Sequence, residues 1–361
     1  MPVSPLEPGA KLAPLHAALQ HGPRPLPLFL EMLRSETAAS PDRMASALAG
    51  LRAYQDAPRT PRPAPMPVIA TAGRASLRDY GGTGRPVVFV PSLINPPFVL
   101  DLAEENSLLR WLATRGVRPL LVDWGAPDAR EADRDISGHV EHLLLPLIDQ
   151  LPEPPAVAGY CLGGTMAMAA AALRPLPGLA LIAAPWHFSG FGGNARADMT
   201  ALWAGAREAA RTLGLVPIEV LQSGFWRLDP ARTVGKYEAF AAMAPESAAA
   251  RAFIALEDWA NAGAPLTFAA GRQLFEDFVD RDAPGAGGWT VAGRAIDPAA
   301  ISCPVLDVIS TSDRIVPAAS ASRLPDRLVL GAGHVGMIVG GRAKEQLWHP
   351  LLVWLSQLQQ E

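Results

Sequence analysis

The segment VAGYCLGGTMAMAAAAL, residues Val157–Leu173, joins three unlike pieces. An apolar run ends at Tyr160. A cysteine follows, framed by Gly159 on one side and by Gly163 and Gly164 on the other. Behind them comes a run of alanine, methionine and leucine that favours helix. Strand, tight turn and helix in that order predict a nucleophile elbow, with pattern G-x-C-x-G-G. Three glycines at set offsets from one cysteine arise by chance about once in a thousand in a chain this rich in glycine. A residue on such a turn sits in strained φ/ψ, and neighbours with side chains would collide, so the glycines have a steric purpose. Cys161 would stand at the start of the helix, where the macrodipole and free N–H groups stabilise a thiolate. Cys161 is therefore the candidate nucleophile.

The flanking sequence supplies a sheet for this elbow. PVVFVPS (86–92), RPLLVDWG (118–125), PAVAGY (155–160) and GLALIAAP (178–185) are short, continuously apolar runs. NSLLRWLATRG (106–116) and ISGHVEHLLLPLIDQL (136–151) are amphipathic helices between them. Strands buried on both faces and alternating with helices predict an α/β fold, a mostly parallel sheet of right-handed βαβ units. From Trp186 to Trp289 this rhythm is lost, and segments such as TALWAGAREAARTLGL (200–215) and ARAFIALEDWANAGAPL (250–266) read as a helical insertion. CPVLDVISTSD (303–313) and DRLVLGAGH (326–334) restore strand character, and AKEQLWHPLLVWLSQLQ (343–359) closes the chain as a helix. Residues 1–66 form a helical preface that ends in a proline-rich linker. The expected organisation is thus a preface over 1–66, a core over 67–186 and 290–361, and a helical cap over 187–289.

A thiol nucleophile needs a base, and the base needs an orienting acid. In the α/β-hydrolase arrangement the chain order is nucleophile, acid, histidine. Asp313 follows an apolar strand, and His334 follows the next one between Gly333 and Gly336. They are the candidate acid and base. Asp307 lies inside the strand and Asp297 precedes it. His16 and His21 belong to the preface, His139 and His142 to a helix, and His349 to the terminal helix. His187 follows the fourth strand and is a weaker candidate for the pocket. The oxyanion hole should combine the N–H of Leu162 with one from the loop PSLINPPFVLD (91–101), Ile94 first and Leu93 next. Cys303 precedes Pro304 without a glycine frame and reads as structural.

Bulk properties narrow the function. The 361 residues carry a formal net charge of −4, so no basic footprint for nucleic acid is present. Hydrophobic residues make up 49%, enough for a sizeable core, yet no apolar run reaches the length of a transmembrane helix. No basic-then-apolar leader opens the chain, so the expected compartment is the cytoplasm. Two cysteines make no disulfide framework, and neither has a partner at metal-ligand spacing. No metal or resident cofactor is expected.

Several of these segments together resemble the polyhydroxyalkanoate synthase family. GYCLGG is similar to the family's lipase-like box with cysteine in place of serine. PSLINPPFVLDLAEENSLLRWL, VDWGAPD, PVLDVISTSDRIVP and GAGHVGMIVGGRA resemble its oxyanion-side, second-strand, acid and histidine segments. The resemblance covers roughly residues 80–190 and 295–361, and it leans towards the short type that works with a second subunit. It implies an α/β-hydrolase fold, with Cys161 carrying the acyl group, His334 as base and Asp313 as acid. The implied substrate is an (R)-3-hydroxyacyl thioester of coenzyme A, and the implied product a polyester, made in the cytoplasm or at a granule surface. A second synthase subunit or a homodimer is the implied partner. The chain differs from the family pattern at Pro96, Pro97 and Phe98, and at Arg314 after the acid. Two other readings stand beside polymerisation: a cysteine thioesterase or polyester depolymerase using the same triad with water, and a non-catalytic granule subunit.

Overall fold

A computed structural model describes residues 21–358. His16, named above, lies outside them. Eight strands form one sheet: β1 (Val68–Ala72), β2 (Ala75–Asp79), β3 (Pro86–Val90), β4 (Arg118–Asp123), β5 (Ala156–Tyr160), β6 (Leu179–Ile182), β7 (Val305–Ser310) and β8 (Arg327–Leu330). Their order across the sheet is β1-β2-β4-β3-β5-β6-β7-β8. Strands β4 to β8, with β3, run parallel, and β2 pairs antiparallel with both β1 and β4. This is the strand order of the α/β-hydrolase fold. The two antiparallel strands were absent from the sequence reading. Their segments are short and carry Arg78 and Asp79, and β1 exposes three of its five residues, so neither presents an apolar run.

Helices cover both faces. They are α3 (Leu108–Ala113), α4 (136–149), α5 (Leu162–Leu173), the short α11 (Gly336–Val339) and α12 (344–357). Helices α4 and α12 each contain a π-helical turn, at Val140–Leu144 and Lys344–Trp348. Pro146 and Pro350 follow these turns directly. A proline has no N–H to close the regular ladder, and the wider turn absorbs the mismatch. Helix α5 is buried on nearly every side, with Met166, Ala167, Met168, Ala169 and Ala170 fully enclosed. Its small side chains let the sheet and its helical layer close around it.

Between β6 and β7 the chain is largely helical: α6 (Gly193–Leu213), α7 (Ile218–Leu228), α8 (Pro230–Ala241), α9 (Ala248–Ala260) and α10 (268–280). The preface contributes α1 (Leu26–Glu36) and α2 (Pro41–Asp56). These two helices share a hydrophobic cluster with the cap: Phe29, Leu33, Leu51 and Tyr54 pack with Trp226, Val234, Tyr237 and Phe240. Gly50 of α2 lies against the main chain of α8, where a Cβ would meet the Tyr237 carbonyl. The preface is therefore packed into the same helical layer as the cap. Residues 58–67 connect it to β1 without helix or strand, as their prolines dictate.

Candidate active site

Strand β5 delivers Cys161 to the elbow. Its backbone has φ 57° and ψ −133°, a conformation that L-residues rarely adopt. Hydrogen bonds hold it there: Cys161 N–H donates to the Ile182 carbonyl at 2.9 Å, and its own carbonyl accepts from Gly164 N–H at 2.8 Å. The glycine frame follows from space. A Cβ on Gly159 would come within 2.6 Å of the Gly163 carbonyl oxygen and 2.7 Å of Ala167 Cβ. A Cβ on Gly163 would lie 2.5 Å from the Pro91 oxygen and closer still to that of Val90, while one on Gly164 would strike Ala184. The elbow thus sits hard against the end of β3.

The loops after β7 and β8 bring Asp313 and His334 together. His334 Nδ1 bonds Asp313 Oδ2 at 2.6 Å, and the two side chains are 7% and 0% exposed. The other carboxylate oxygen, Oδ1, accepts from the N–H groups of Ile315 and Val316 at 2.8 and 2.9 Å, which fixes the acid's orientation. Burial is the strongest single influence on His334 and opposes its charge. Against it act the negative charge of Cys161, the hydrogen bonds to Asp313 and Cys161, and the charge of Asp313, which together push the imidazolium up to about 10. The two neighbours thus favour the charged ring while burial disfavours it. Cys161 itself is half-buried.

Leu162 opens α5, so its N–H belongs to the first helical turn, where no intrahelical acceptor exists. The segment 91–96 beside it is pinned at both ends by tryptophans. Trp124 Nε1 donates to the Pro91 carbonyl at 3.0 Å, and Trp259 Nε1 of α9 donates to the Pro96 carbonyl at 2.9 Å. Within the loop, Ile94 N–H donates to Ser92 Oγ at 3.2 Å. The first-choice second donor thus already has a partner in the free protein.

The other residues weighed from sequence lie elsewhere. Cys303 is partly buried beside the main core cluster, and burial raises its thiol pKa. His139 is enclosed, with Nδ1 2.7 Å from the Asp135 carbonyl and Nε2 2.6 Å from Arg74, and burial drives it down to about 3. His21 faces Asp258 at 3.6 Å, and His349 packs edge-on to Trp111. His142 borders a polar cleft with Arg134 and Trp289. His187 has Arg323 and Asp282 as its charged neighbours and is lowered chiefly by burial. Asp297 caps the turn at Pro298–Ala300. Arg314, at the family-variant position, pairs with Asp229 Oδ2 at 2.5 Å and ties the acid loop to the cap.

Asp307 is the buried acid of β7. Its Oδ2 accepts from Ser322 Oγ at 2.9 Å, while Oδ1 has no partner, and burial raises its pKa. A carboxyl raised in the folded state binds a proton more readily there than in the unfolded chain. Its effect on stability is therefore unfavourable at neutral pH and fades as pH falls towards the ordinary aspartate range. Asp307→Asn should unfold at a higher temperature than the parent at pH 7, with the gap closing as pH approaches 4. A gap independent of pH would remove the carboxylate from this account.

Sequence reading did not single out Tyr160, Trp124 or Trp259, because an aromatic side chain in an apolar run looks like core until its polar atom is located.

No protein-family model matches the chain. Relatives do. The Poly(3-hydroxyalkanoate) polymerase subunit PhaC of Thiocystis violacea is 26% identical over 291 residues, covering 75% of this chain and 81% of the relative. The subunit of the same name from Synechocystis is 27% identical, covering 76% and 78%. That from Haloferax mediterranei is 25% identical, covering 75% of this chain and 58% of the relative. The chain is similar to poly(3-hydroxyalkanoate) polymerase subunits. Among solved structures, a thermophilic esterase from Thermogutta terrifontis aligns with TM-score 0.45 at 18% identity, covering 83% of this chain and all of the esterase. A monoacylglycerol lipase from Paleococcus ferrophilus gives TM-score 0.45 at 18% identity, covering 79% of this chain and all of the lipase. Among the described residues no helix is long and apolar enough to cross a membrane.

Proposed function

We propose that this chain is an acyltransferase that polymerises (R)-3-hydroxyacyl units from coenzyme A thioesters through an acyl group carried on Cys161. The observation that carries this reading is the pairing of a strained cysteine at the strand-to-helix elbow with a buried, Asp313-bound histidine, in a chain whose relatives are named polymerases.

The Cys161 sulfur attacks the thioester carbonyl, and the negative charge that develops on oxygen is met by the N–H of Leu162. Ile94 N–H joins it by exchanging its bond to Ser92, with Leu93 as the neighbouring donor. The carbon–sulfur bond to coenzyme A breaks, and His334 gives its proton to the departing thiolate. One thioester replaces another, so the step is nearly balanced in free energy. The hydroxyl of a second hydroxyacyl unit then attacks the acyl-enzyme, His334 takes the hydroxyl proton, and the chain grows by one ester as the Cys161 sulfur is released. Asp313 holds the ring for both transfers. Transfer rather than hydrolysis requires that water be kept from the acyl-enzyme. Phe98 and, from α9, Ala255, Leu256 and Trp259 belong to the same apolar cluster as Cys161.

A groove of about 890 Å³ opens beside Phe98 and Ala255, and Arg24, Arg62 and Arg251 border it. Glu104, Glu105 and Asp258 also line it, and the arginines beside them are the candidate partners for the phosphorylated end of the thioester. Arg62→Ala with Arg251→Ala should raise KM for the coenzyme A thioester about tenfold, and leave turnover of the N-acetylcysteamine thioester unchanged. Equal effects on both substrates would place the phosphates elsewhere.

The test of the function is direct. Purified protein is given 3-hydroxybutyryl-CoA, alone and with a candidate second subunit, and thiol, free acid and insoluble polymer are measured. Thiol release with polymer supports the proposal. Thiol with an equal amount of free acid makes the chain a hydrolase, and no thiol in either case leaves it a binding subunit of a granule.

A further inference from the structure

The residue before the nucleophile has no assigned task, and its geometry supplies one. The Tyr160 ring stacks on the imidazole of His334, centroids 5.0 Å apart and planes inclined by 24°. Its hydroxyl donates to the His334 carbonyl at 3.2 Å. Both residues are buried. One aromatic side chain therefore holds the histidine twice, at its ring and at its backbone. We propose that Tyr160 is a positioning residue whose ring face stabilises the protonated form of His334 and so favours the thiolate of Cys161.

The physical case rests on what surrounds the imidazole. Asp313 bonds Nδ1, Cys161 supplies a second negative charge, and Tyr160 covers a face. Those are the charged or titratable groups that act on it; Arg314, next to the acid, is turned to Asp229. Burial removes the water that would otherwise solvate an imidazolium, so a stabilising surface has more effect here than in solvent. An aromatic face carries a negative quadrupole and attracts a cation within about 6 Å of its centroid. A leucine or isoleucine at this position fills the same space and offers no such field. The hydroxyl acts differently, by fixing the main chain of the loop after β8, and it makes no contact with the reacting atoms.

This inference rests on the proposed triad but not on the substrate, and its test separates the two. In a Cys303→Ala background Cys161 is the sole thiol, so its alkylation by iodoacetamide reports the thiolate at each pH without any thioester. Tyr160→Phe keeps the ring and should leave the acid limb of the alkylation profile in place. Tyr160→Leu should move that limb up by 0.5 to 1 pH unit, seen as alkylation about threefold to tenfold slower on the limb. Pentafluorophenylalanine at position 160 has the same shape and an inverted quadrupole. It should shift the limb in the same direction, and it decides the matter if the leucine variant does not fold. Coincident limbs for the parent, leucine and pentafluorophenylalanine proteins would overturn the inference. Limbs that shift as described, in a protein that releases no thiol from 3-hydroxybutyryl-CoA, would uphold it and sink the acyltransfer reading instead.

Discussion

Cys161→Ala is expected to release no thiol from 3-hydroxybutyryl-CoA above the rate of a protein-free control, a loss of at least about a thousandfold. Cys161→Ser should lose most of the activity as well. A neutral hydroxyl at this elbow is a far weaker nucleophile towards a thioester than sulfur is. The same position carries a stability prediction of opposite sign. The backbone there has φ 57° and ψ −133°, which suits glycine and strains every other residue. Cys161→Gly should therefore be inactive yet more stable than Cys161→Ala by about 1 kcal/mol or more in denaturant unfolding. Full turnover in any of these variants would remove Cys161 from its role. Equal stability of the glycine and alanine proteins would show that the turn carries no strain.

Gly163→Ala is the second large effect, and it falls on folding rather than on chemistry. The added methyl group would press on the carbonyl oxygens of Val90 and Pro91, which are main-chain atoms of the central strand and its exit. Neither can swing aside as a flexible side chain would. A cost of about 3 kcal/mol or more is expected, which lowers Tm by about 4 °C or more. Gly205→Ala is the control. That glycine lies on the exposed side of α6 with open space around it, and alanine there should stabilise by about 0.5 to 1 kcal/mol. If the two substitutions have similar effects on Tm, close approach of the elbow to β3 is not what demands glycine.

The parts of this molecule that were legible in the sequence share a physical cause. Strands β3 to β6 are read from apolar runs because a strand covered on both faces leaves little room for polar residues. The elbow is read from its glycines because steric exclusion acts on neighbours in the chain. Asp313 and His334 were chosen by chain order and by their place after strands, and the structure places them 2.6 Å apart. What escaped depends on contacts between distant residues. Strands β1 and β2 carry mixed surfaces and sit at the sheet's edge. The union of preface and cap depends on Gly50 meeting the backbone of Tyr237, which no local pattern announces. The stacking of Tyr160 on His334 joins residues 174 positions apart.

Three successive residues of α9 have a consequence for how this protein can be taken apart. Glu257 is bound by Lys236 and Tyr237, Asp258 by Tyr54 and Arg59, and Trp259 donates to the Pro96 carbonyl. One turn of helix thus joins the cap, the first helices of the chain and the loop over 91–101. Trimming residues 1–66 to obtain a minimal catalyst would remove both partners of Asp258, Tyr54 and Arg59, and with them one of the three anchors. The smallest portable unit for chimeras or directed evolution therefore begins ahead of α1, and a graft that swaps the cap must bring its matching preface along.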